Sequence, residues 1–216
     1  MNRRPRILLA DDHTLLLDAF RRVLEPECEV VGTVTDGRAL LEVAPRLAPD
    51  AVVLDIAMPG LNGLDACVHL KEALPATQVV FLTASLDPDL AVEAFHRGAS
   101  AYLVKHSAAS ELFAAIRSAL AGHRYLTPLL AKGTPLDVFL NREVPRPGDK
   151  LTSRQREVLQ LLAEGHAMKE VARLLNVTPR TVAFHKYTMM RQFGIRTSAE
   201  LVQYAVQQRL VAPRSP

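Results

Sequence analysis

Four short apolar runs in the first half of this chain each end in a charged or hydroxyl side chain. Asp11 and Asp12 follow the first run, Asp55 the second, Thr83 the third and Lys105 the fourth. Short apolar runs separated by helical patterns are typical of buried parallel strands, whose carboxyl ends meet at one edge of a sheet. We therefore expect three carboxylates, a hydroxyl and an ammonium group to converge there, a set that suits a divalent cation and a phosphate.

Strand and helix patterns alternate over residues 1–121. The predicted strands are Arg6–Ala10, Val30–Val34, Ala51–Leu54, Gln78–Leu82 and Ala101–Val104. A helix pattern follows each strand, at Leu15–Leu24, Arg38–Leu47, Gly63–Leu74, Asp89–Arg97 and Ala108–Ala121. Five such βα units predict an α/β domain with a doubly wound, five-stranded parallel sheet of the flavodoxin-like type.

The regular pattern stops after residue 121. Residues 122–147 carry Pro128, Pro135, Pro145 and Pro147, a spacing typical of a linker, with one short helix expected around Leu129–Ala131. Residues 148–216 then form a second, all-helical domain. Its predicted helices run from a cap at Thr152 or Ser153 to Glu164, over Met168–Leu175, from a Thr178 cap to about Phe193, and over Ser198–Gln208.

Charge is distributed unequally between the two halves. Residues 151–216 carry ten Lys and Arg against four Asp and Glu, a net charge of +6, whereas residues 1–150 carry sixteen against nineteen, a net charge of −3. This difference indicates a polyanionic partner for the C-terminal half. No apolar run approaches the ~18 residues of a membrane span. The two cysteines, Cys28 and Cys67, lack metal-ligand spacing, so reduced thiols in a cytoplasmic protein are expected.

The polar set at the strand ends matches the chemistry of phosphoryl transfer. Adjacent carboxylates repel each other and gain from a cation such as Mg²⁺, which prefers oxygen ligands. A carboxylate can also attack phosphorus to give an aspartyl phosphate, while a lysine and a hydroxyl stabilise the transferring group. A single acid or hydroxyl at a strand end is ordinary loop polarity. Four strand ends with complementary groups are much harder to assign to chance.

These residues resemble the receiver domain of two-component response regulators over the whole of residues 1–121. The motifs that carry the resemblance are Asp11-Asp12, Asp55 with Met58-Pro59-Gly60, Thr83-Ala84, and Gly98-Ala99 through Tyr102 to Lys105. The resemblance implies that Asp55 accepts a phosphoryl group from a sensor histidine kinase. It implies Mg²⁺ ligands at Asp11, Asp12, Asp55 and the carbonyl of Ala57, and it makes Thr83 and Tyr102 a pair of switch residues beside Lys105.

One residue departs from the receiver pattern. Many receivers have a proline after the lysine, joined by a cis bond, whereas His106 follows Lys105 here. A cis bond before a residue other than proline costs roughly 3 kcal/mol. Either this peptide bond is trans or the loop is strained.

The C-terminal helices resemble the LuxR-type DNA-binding domain. The motifs are Leu151 through Leu159, Gly165 through Ala172, Thr178 through His185, and Leu201-Val202. Together with the receiver they resemble the NarL/FixJ subfamily of response regulators, with a tight turn at Asn176-Val177 as in a helix-turn-helix. The resemblance implies a regulator that binds double-stranded DNA as a homodimer. Candidate DNA-binding residues are Lys169, Thr178, Arg180, Thr181, Phe184, Lys186, Tyr187 and Arg191, and candidate dimer residues are Leu201, Val202, Ala205 and Val206.

The predicted DNA-reading face of the third C-terminal helix is unusual in composition. The family commonly has lysine where this chain has Ala183, and often a basic residue near Tyr187. Hydrogen bonding to base edges from these positions is therefore lost or changed. Phe184 either contacts a thymine methyl group or packs inside the domain.

Three other functions fit parts of the pattern. A Mg²⁺-dependent phosphohydrolase of the haloacid-dehalogenase type uses similar residues, but its nucleophilic aspartate comes first and is usually followed two residues later by another aspartate. Here the acidic pair comes first and Ala57 stands two residues after Asp55, so an enzyme is not expected. A regulator that works without phosphorylation, or a helical protein-interaction module in place of the DNA-binding domain, remains an alternative.

Overall fold

The computed structural model describes residues 3–106, 109–141 and 151–211. Within these ranges the chain forms two compact units, one built on a parallel sheet and one built from the C-terminal helices. No helix in the described residues is both long enough and apolar enough to cross a membrane. The predicted boundary between residues 147 and 148 and the predicted helix start at Ala108 lie outside the described residues.

The first unit contains a fully parallel sheet in the order β2-β1-β3-β4-β5-β6. The five predicted strands are all present, and the prediction was wrong only in the strand count, because β6 extends the sheet beyond β5. A two-residue strand is too short to show an alternating pattern in sequence. The strands are β1 Arg6–Ala10, β2 Glu29–Val34, β3 Ala51–Leu54, β4 Gln78–Thr83, β5 Ala101–Val104 and β6 Tyr125–Leu126.

Helices cover both faces of this sheet, as a doubly wound topology requires. Helices α1 and α5 share one core with the buried strand residues on the same face of the sheet. Leu17 of α1 and Ile116 of α5 belong to this core. Helices α2 and α3 pack against each other. The helices that follow the strands are α1 Thr14–Leu24, α2 Gly37–Leu47, α3 Gly63–Ala73, α4 Pro88–His96 and α5 Ala109–Leu120.

Much of the segment that the sequence assigned to a linker is regular structure in the first unit. The helix expected around Leu129–Ala131 is present as α6 Pro128–Ala131, whereas α7 Leu136–Leu140 was not expected. Helix α7 lies against α4, and Phe139 and Leu140 are buried. A five-residue helix that follows a proline gives too few apolar repeats to be recognised in sequence.

The second unit is the predicted set of four helices, α8 Ser153–Ala163, α9 Met168–Leu174, α10 Pro179–Phe193 and α11 Ser198–Gln207. Thr152 caps α8 and forms a capping box with Gln155, while Thr178 caps α10. Asn176, in the turn between α9 and α10, takes the left-handed conformation with φ of 52°. Buried apolar residues from all four helices form one core, so α9 and α10 are held as a helix-turn-helix.

Gly63 sets how closely α3 approaches the end of β3. Its amide donates to the carbonyl of Ile56 at 2.8 Å, and a Cβ atom added here would overlap the carbonyl oxygen of Asp55. The backbone at Gly63 is not left-handed, so the glycine is required by space rather than by its own conformation. The start of α3 and the strand end that carries Asp55 are therefore one packed unit.

We expect Gly63→Ala to lower the free energy of unfolding by about 3 kcal/mol, because the methyl group must displace α3 or the Asp55 backbone. Without this clash, alanine in a helix would raise stability by ~0.5–1 kcal/mol, so the sign of the effect is diagnostic. Chemical denaturation of the purified chain provides the measurement. Gly133→Ala is the control, since Gly133 has a positive φ but no atoms within 4 Å of an added Cβ; a loss at Gly63 no larger than at Gly133 would contradict the packing argument.

Candidate functional site

The strand order brings the acidic residues together. The chain passes from β1 to β2 on one side and returns to β3 on the other, so a crevice opens beyond the ends of β1 and β3. Asp11 follows β1 and Asp55 follows β3. The hydrogen bond from the amide of Asp55 to the carbonyl of Ala10, 2.9 Å long, continues the strand pairing into the site. Both carboxylates thus sit on backbone fixed by the sheet.

Four side chains form an acidic cluster in this crevice. Ligand atoms of Asp11, Asp12, His13 and Asp55 all lie within 4.8 Å of one another. Asp11 and Asp55 are buried and Asp12 is exposed. Nδ1 of His13 lies 3.1 Å from a carboxylate oxygen of Asp11 and 2.8 Å from one of Asp12. His13 was not among the predicted site residues, although its position next to the acidic pair was the available signal.

Lys105 enters the cluster from the end of β5. Its Nζ lies 2.7 Å from a carboxylate oxygen of Asp11 and 2.8 Å from one of Asp55. The backbone amide of Lys105 donates to the carbonyl of Thr83 at 2.8 Å, which fixes the strand end. No peptide bond in the described residues is cis. The peptide bond between Lys105 and His106 is therefore trans, and the lysine side chain still contacts both acids.

Burial and pairing act against each other in this ion pair. Burial raises the pKa of the Asp55 carboxyl, and the hydrogen bond and charge of Lys105 offset only part of this shift. Burial alone would lower the pKa of the Lys105 ammonium, but its hydrogen bonds to Asp11 and Asp55 outweigh that effect and raise the pKa above its ordinary value. The ammonium is thus firmly charged, while the Asp55 carboxylate still carries a desolvation cost that a further cation would reduce.

The cluster has the composition of a divalent cation site. Three carboxylates and one ammonium leave two formal negative charges. Oxygen ligands on opposite sides of an Mg²⁺ ion are about 4 Å apart, so a separation of at most 4.8 Å closes with small side-chain rotations. Ala57, the predicted carbonyl ligand, lies two residues beyond Asp55 and is exposed. Its ligand role stays a prediction.

Thr83 and Tyr102 are both buried and are linked through Ser85. The amide of Ser85 donates to Oγ1 of Thr83 at 3.4 Å, and the Tyr102 hydroxyl donates to the carbonyl of Ser85 at 3.2 Å. The ring of Tyr102 is fully buried and so already points inward. Ser85, which sequence reasoning missed, therefore connects the two predicted switch residues.

Helix α10 presents most of the predicted DNA-binding residues to solvent. Phe184 and Tyr187 are 65% and 59% exposed, which rules out the packing role considered for Phe184. The hydroxyl oxygen of the N-cap residue Thr178 accepts a hydrogen bond from the amide of Thr181 and also lies within hydrogen-bond distance of the Thr181 hydroxyl. The other exposed candidates are Lys169, Arg180 and Arg191, whereas Thr181 and Lys186 are half-buried.

The predicted dimer stripe on α11 is only partly available. Leu201 and Ala205 belong to the core of the second unit, with exposures of 2% and 0%. They face inward because α11 packs on α8 through that side. The expectation that all four residues form a dimer surface was therefore wrong for these two, and Val202 and Val206 remain accessible.

Two family models match the chain in the regions that these sites occupy. Residues 7–117 match the response regulator receiver domain. Residues 149–205 match the bacterial regulatory proteins of the luxR family. The two matches cover the acidic cluster and the helix-turn-helix respectively.

Similar proteins extend over nearly the whole chain. The transcriptional regulatory protein MctR of Rhizobium johnstonii is 32% identical, over 98% of this chain and 99% of its own length. The nitrate/nitrite response regulator protein NarL of Escherichia coli K12 is 32% identical, over 94% of this chain and 96% of its own. The RcsB response regulator of Salmonella typhimurium, in a structure described by its conformational dynamism for DNA interaction, is 26% identical with a TM-score of 0.58, over 95% of this chain and 99% of its own.

We expect Lys105→Met to lower the free energy of unfolding by about 3 kcal/mol in metal-free buffer, because it leaves two buried carboxylates without their cation. Urea denaturation with EDTA present provides the measurement. Arg46→Met is the matched control, since it removes a cation from an exposed pair with Glu42, which contributes little.

The decrease in the free energy of unfolding caused by Lys105→Met should also depend on pH. An acid whose folded pKa lies above its unfolded value contributes stability that is present below the unfolded value and is lost as the pH rises through the folded pKa. The pKa of Asp55 is already raised and should rise further without Lys105. The effect of Lys105→Met should therefore be smaller at about pH 5 than at about pH 8. Equal decreases in the free energy of unfolding at both pH values would contradict the assigned effect of Lys105 on the pKa of Asp55.

Proposed function

The chain belongs to the NarL/FixJ-type response regulators, which join a receiver domain to a LuxR-type DNA-binding domain, and on that premise we propose that Asp55 is its phosphoryl acceptor. A sensor histidine kinase is the expected donor, and the output is transcriptional regulation through DNA binding. DNA as the target implies a cytoplasmic protein. We also propose limits of 1–121 for the receiver and 148–216 for the DNA-binding domain, with residues 122–147 as the linker. Strand β6 and helices α6 and α7 of this linker belong to the first unit.

The observation that carries this assignment is the placement of Lys105 on Asp55. Asp55 is buried at the switch point of the sheet, with an ammonium group 2.8 Å from one oxygen and the Ile56 amide 2.7 Å from the other. Both oxygens of the carboxylate are therefore held in place and its charge is compensated, which positions Asp55 as a nucleophile for phosphorus. Lys105 would then neutralise charge on the transferring group, and Thr83 would donate a hydrogen bond to it.

We assign the metal site to Asp11, Asp12, Asp55 and the carbonyl of Ala57, with Mg²⁺ as the ion. The spacing and charge of the acidic cluster support this set. When bound, the ion would neutralise the oxygens of the phosphoryl group. The two oxygens of Asp11 have different partners: Oδ2 contacts the Lys105 ammonium, and Oδ1 contacts Nδ1 of His13. Asp11 would therefore hold the ion and keep its contact with Lys105.

The DNA-binding half rests on α10. Its exposed basic residues and the amides at its capped N-terminus suit phosphate contacts, with Lys169 of α9 as an additional cation. We propose that the active form is a homodimer. Val202 and Val206 are the part of the predicted α11 stripe that such a contact could use.

The phosphohydrolase alternative is not supported, because the relatives are transcriptional response regulators. A regulator that acts without phosphorylation remains distinguishable by experiment. Its acidic cluster would be intact, but its affinity for DNA would not respond to a phosphoryl donor.

Incubation with acetyl phosphate and Mg²⁺ should add one phosphoryl group, and Asp55→Asn should abolish the addition because an amide is not a nucleophile of this kind. Intact-mass spectrometry provides the measurement. Asp18→Asn is the control, since Asp18 is an exposed aspartate of α1 that does not belong to the acidic cluster. Undiminished labelling of the Asp55 variant would refute the assignment.

We further propose that Ser85 couples phosphorylation to the receiver surface. When Thr83 turns toward a phosphoryl group, its contact with the Ser85 amide is lost. Ser85 is also held by the Tyr102 hydroxyl, so movement of its peptide changes the position of the ring or of the loop that leads into α4. Phosphorylation would then favour one of two arrangements, with the difference expressed in the DNA-binding state.

Tyr102→Phe should reduce the gain in DNA affinity on phosphorylation about fivefold, which corresponds to one lost hydrogen bond, without reducing phosphoryl uptake. The measurement compares DNA affinity before and after acetyl phosphate treatment. Tyr125→Phe is the matched control, because Tyr125 lies on the adjacent strand β6, away from Ser85. If both variants keep the full gain, the Ser85 link does not transmit the signal.

A further inference from the structure

Four residues of α10 form one exposed stripe with arginine at both ends and aromatic rings in the middle. Arg180, Phe184, Tyr187 and Arg191 are spaced by four, three and four residues, which places them on one face of the helix. The opposite face supplies Val182 and Met189 to the core. The stripe is therefore free of any packing role within the second unit.

The exposure of two adjacent rings favours a partner that covers them. Covering a side chain such as phenylalanine is favourable by about 1.5–3 kcal/mol, yet Phe184 is 65% exposed and contacts only the edge of the His185 ring among the aromatic residues described. Tyr187 is 59% exposed, with Nζ of Lys186 5.9 Å from its ring centre. Cations thus lie beside and at both ends of the aromatic pair, which makes a polyanion the fitting occupant.

The dimensions of the stripe fit the major groove of duplex DNA. At about 1.5 Å per residue, Arg180 and Arg191 are about 16 Å apart along the helix axis, while the groove is about 12 Å wide. The two guanidinium groups can therefore reach the phosphate backbones when the centre of the stripe meets the base edges. Phe184 and Tyr187 are then the side chains nearest to the groove floor.

The chemistry of these side chains decides what they can recognise. The phenyl ring of Phe184 and the neighbouring methyl group of Ala183 have no hydrogen-bond donor or acceptor. The one apolar group that a base presents in the major groove is the C5-methyl of thymine. We propose that α10 selects DNA through thymine methyl groups that contact Phe184 and Tyr187, in place of hydrogen bonds from the centre of the helix. The proposal rests on the proposed DNA-binding function.

Replacement of thymine by uracil tests this contact directly, because uracil keeps the base pairing and lacks only the methyl group. A duplex is first selected from a random-sequence pool with the acetyl-phosphate-treated 216-residue chain, then synthesised with dT and with dU. Fluorescence anisotropy gives both affinities. Each contacted methyl group should contribute about fourfold, the value of one buried methyl group. The dT duplex should therefore bind about sixteenfold more tightly if two methyl groups are contacted.

Three variants separate the possible outcomes. Phe184→Ala should lower the ratio of dT to dU affinities by about fourfold and leave only the contribution of the methyl group at Tyr187. Lys169→Ala should weaken binding to both duplexes equally and preserve the ratio of dT to dU affinities. It should also flatten the slope of log affinity against log salt concentration by about one unit. Leu129→Ala, which removes an exposed apolar side chain in the first unit, should change neither affinity.

Two results would overturn the proposal. Equal binding of the dT and dU duplexes by the wild-type chain would show that methyl groups are not read. A Phe184→Ala variant with unchanged affinity and an unchanged ratio would assign the aromatic pair to a protein partner instead. Failure of the DNA-binding function itself would look different, because no duplex would then be enriched and Lys169→Ala would not alter any salt dependence.

Discussion

The contact of Lys105 with Asp11 and Asp55 is the interaction on which the proposed phosphoryl site depends. It holds two carboxylates in a nearly dry crevice, where an uncompensated charge would be costly. One ammonium cannot balance three acids, so the crevice keeps an excess of negative charge that favours a divalent cation. The same imbalance makes the site responsive, because a phosphoryl group and its metal change the charge that Lys105 must compensate.

The parallel sheet makes this interaction possible. Asp11, Asp55 and Lys105 come from three strand ends that are distant in sequence, and backbone hydrogen bonds beyond the strands fix each of them. Gly63 adds a close backbone approach that holds the loop after β3. In the proposed coupling, a movement of Thr83 would reach the buried ring of Tyr102 through Ser85, which is hydrogen-bonded to both residues.

In the helical unit, the residues that stabilise the fold and the residues proposed to contact DNA lie on opposite sides of α10. Its core is built from one side of each helix, and the caps at Thr152 and Thr178 define where α8 and α10 begin. This leaves the opposite side of α10 free to vary without loss of stability. A face with two aromatic rings between two arginines is compatible with this scaffold, because Arg180, Phe184, Tyr187 and Arg191 are all exposed.

The sequence by itself determined the order of strands and helices, the acidic and basic residues at the strand ends and the helix-turn-helix, because apolar periodicity, caps and motif spacing are local signals. The tertiary structure alone decided which of the predicted residues are accessible. It added β6 and α7, which are too short to show a period, and it buried Leu201 and Ala205. It also placed His13 in the acidic cluster and Ser85 between the switch residues, because the folded backbone at the strand ends decides which of the sequence neighbours of a site residue reach the site.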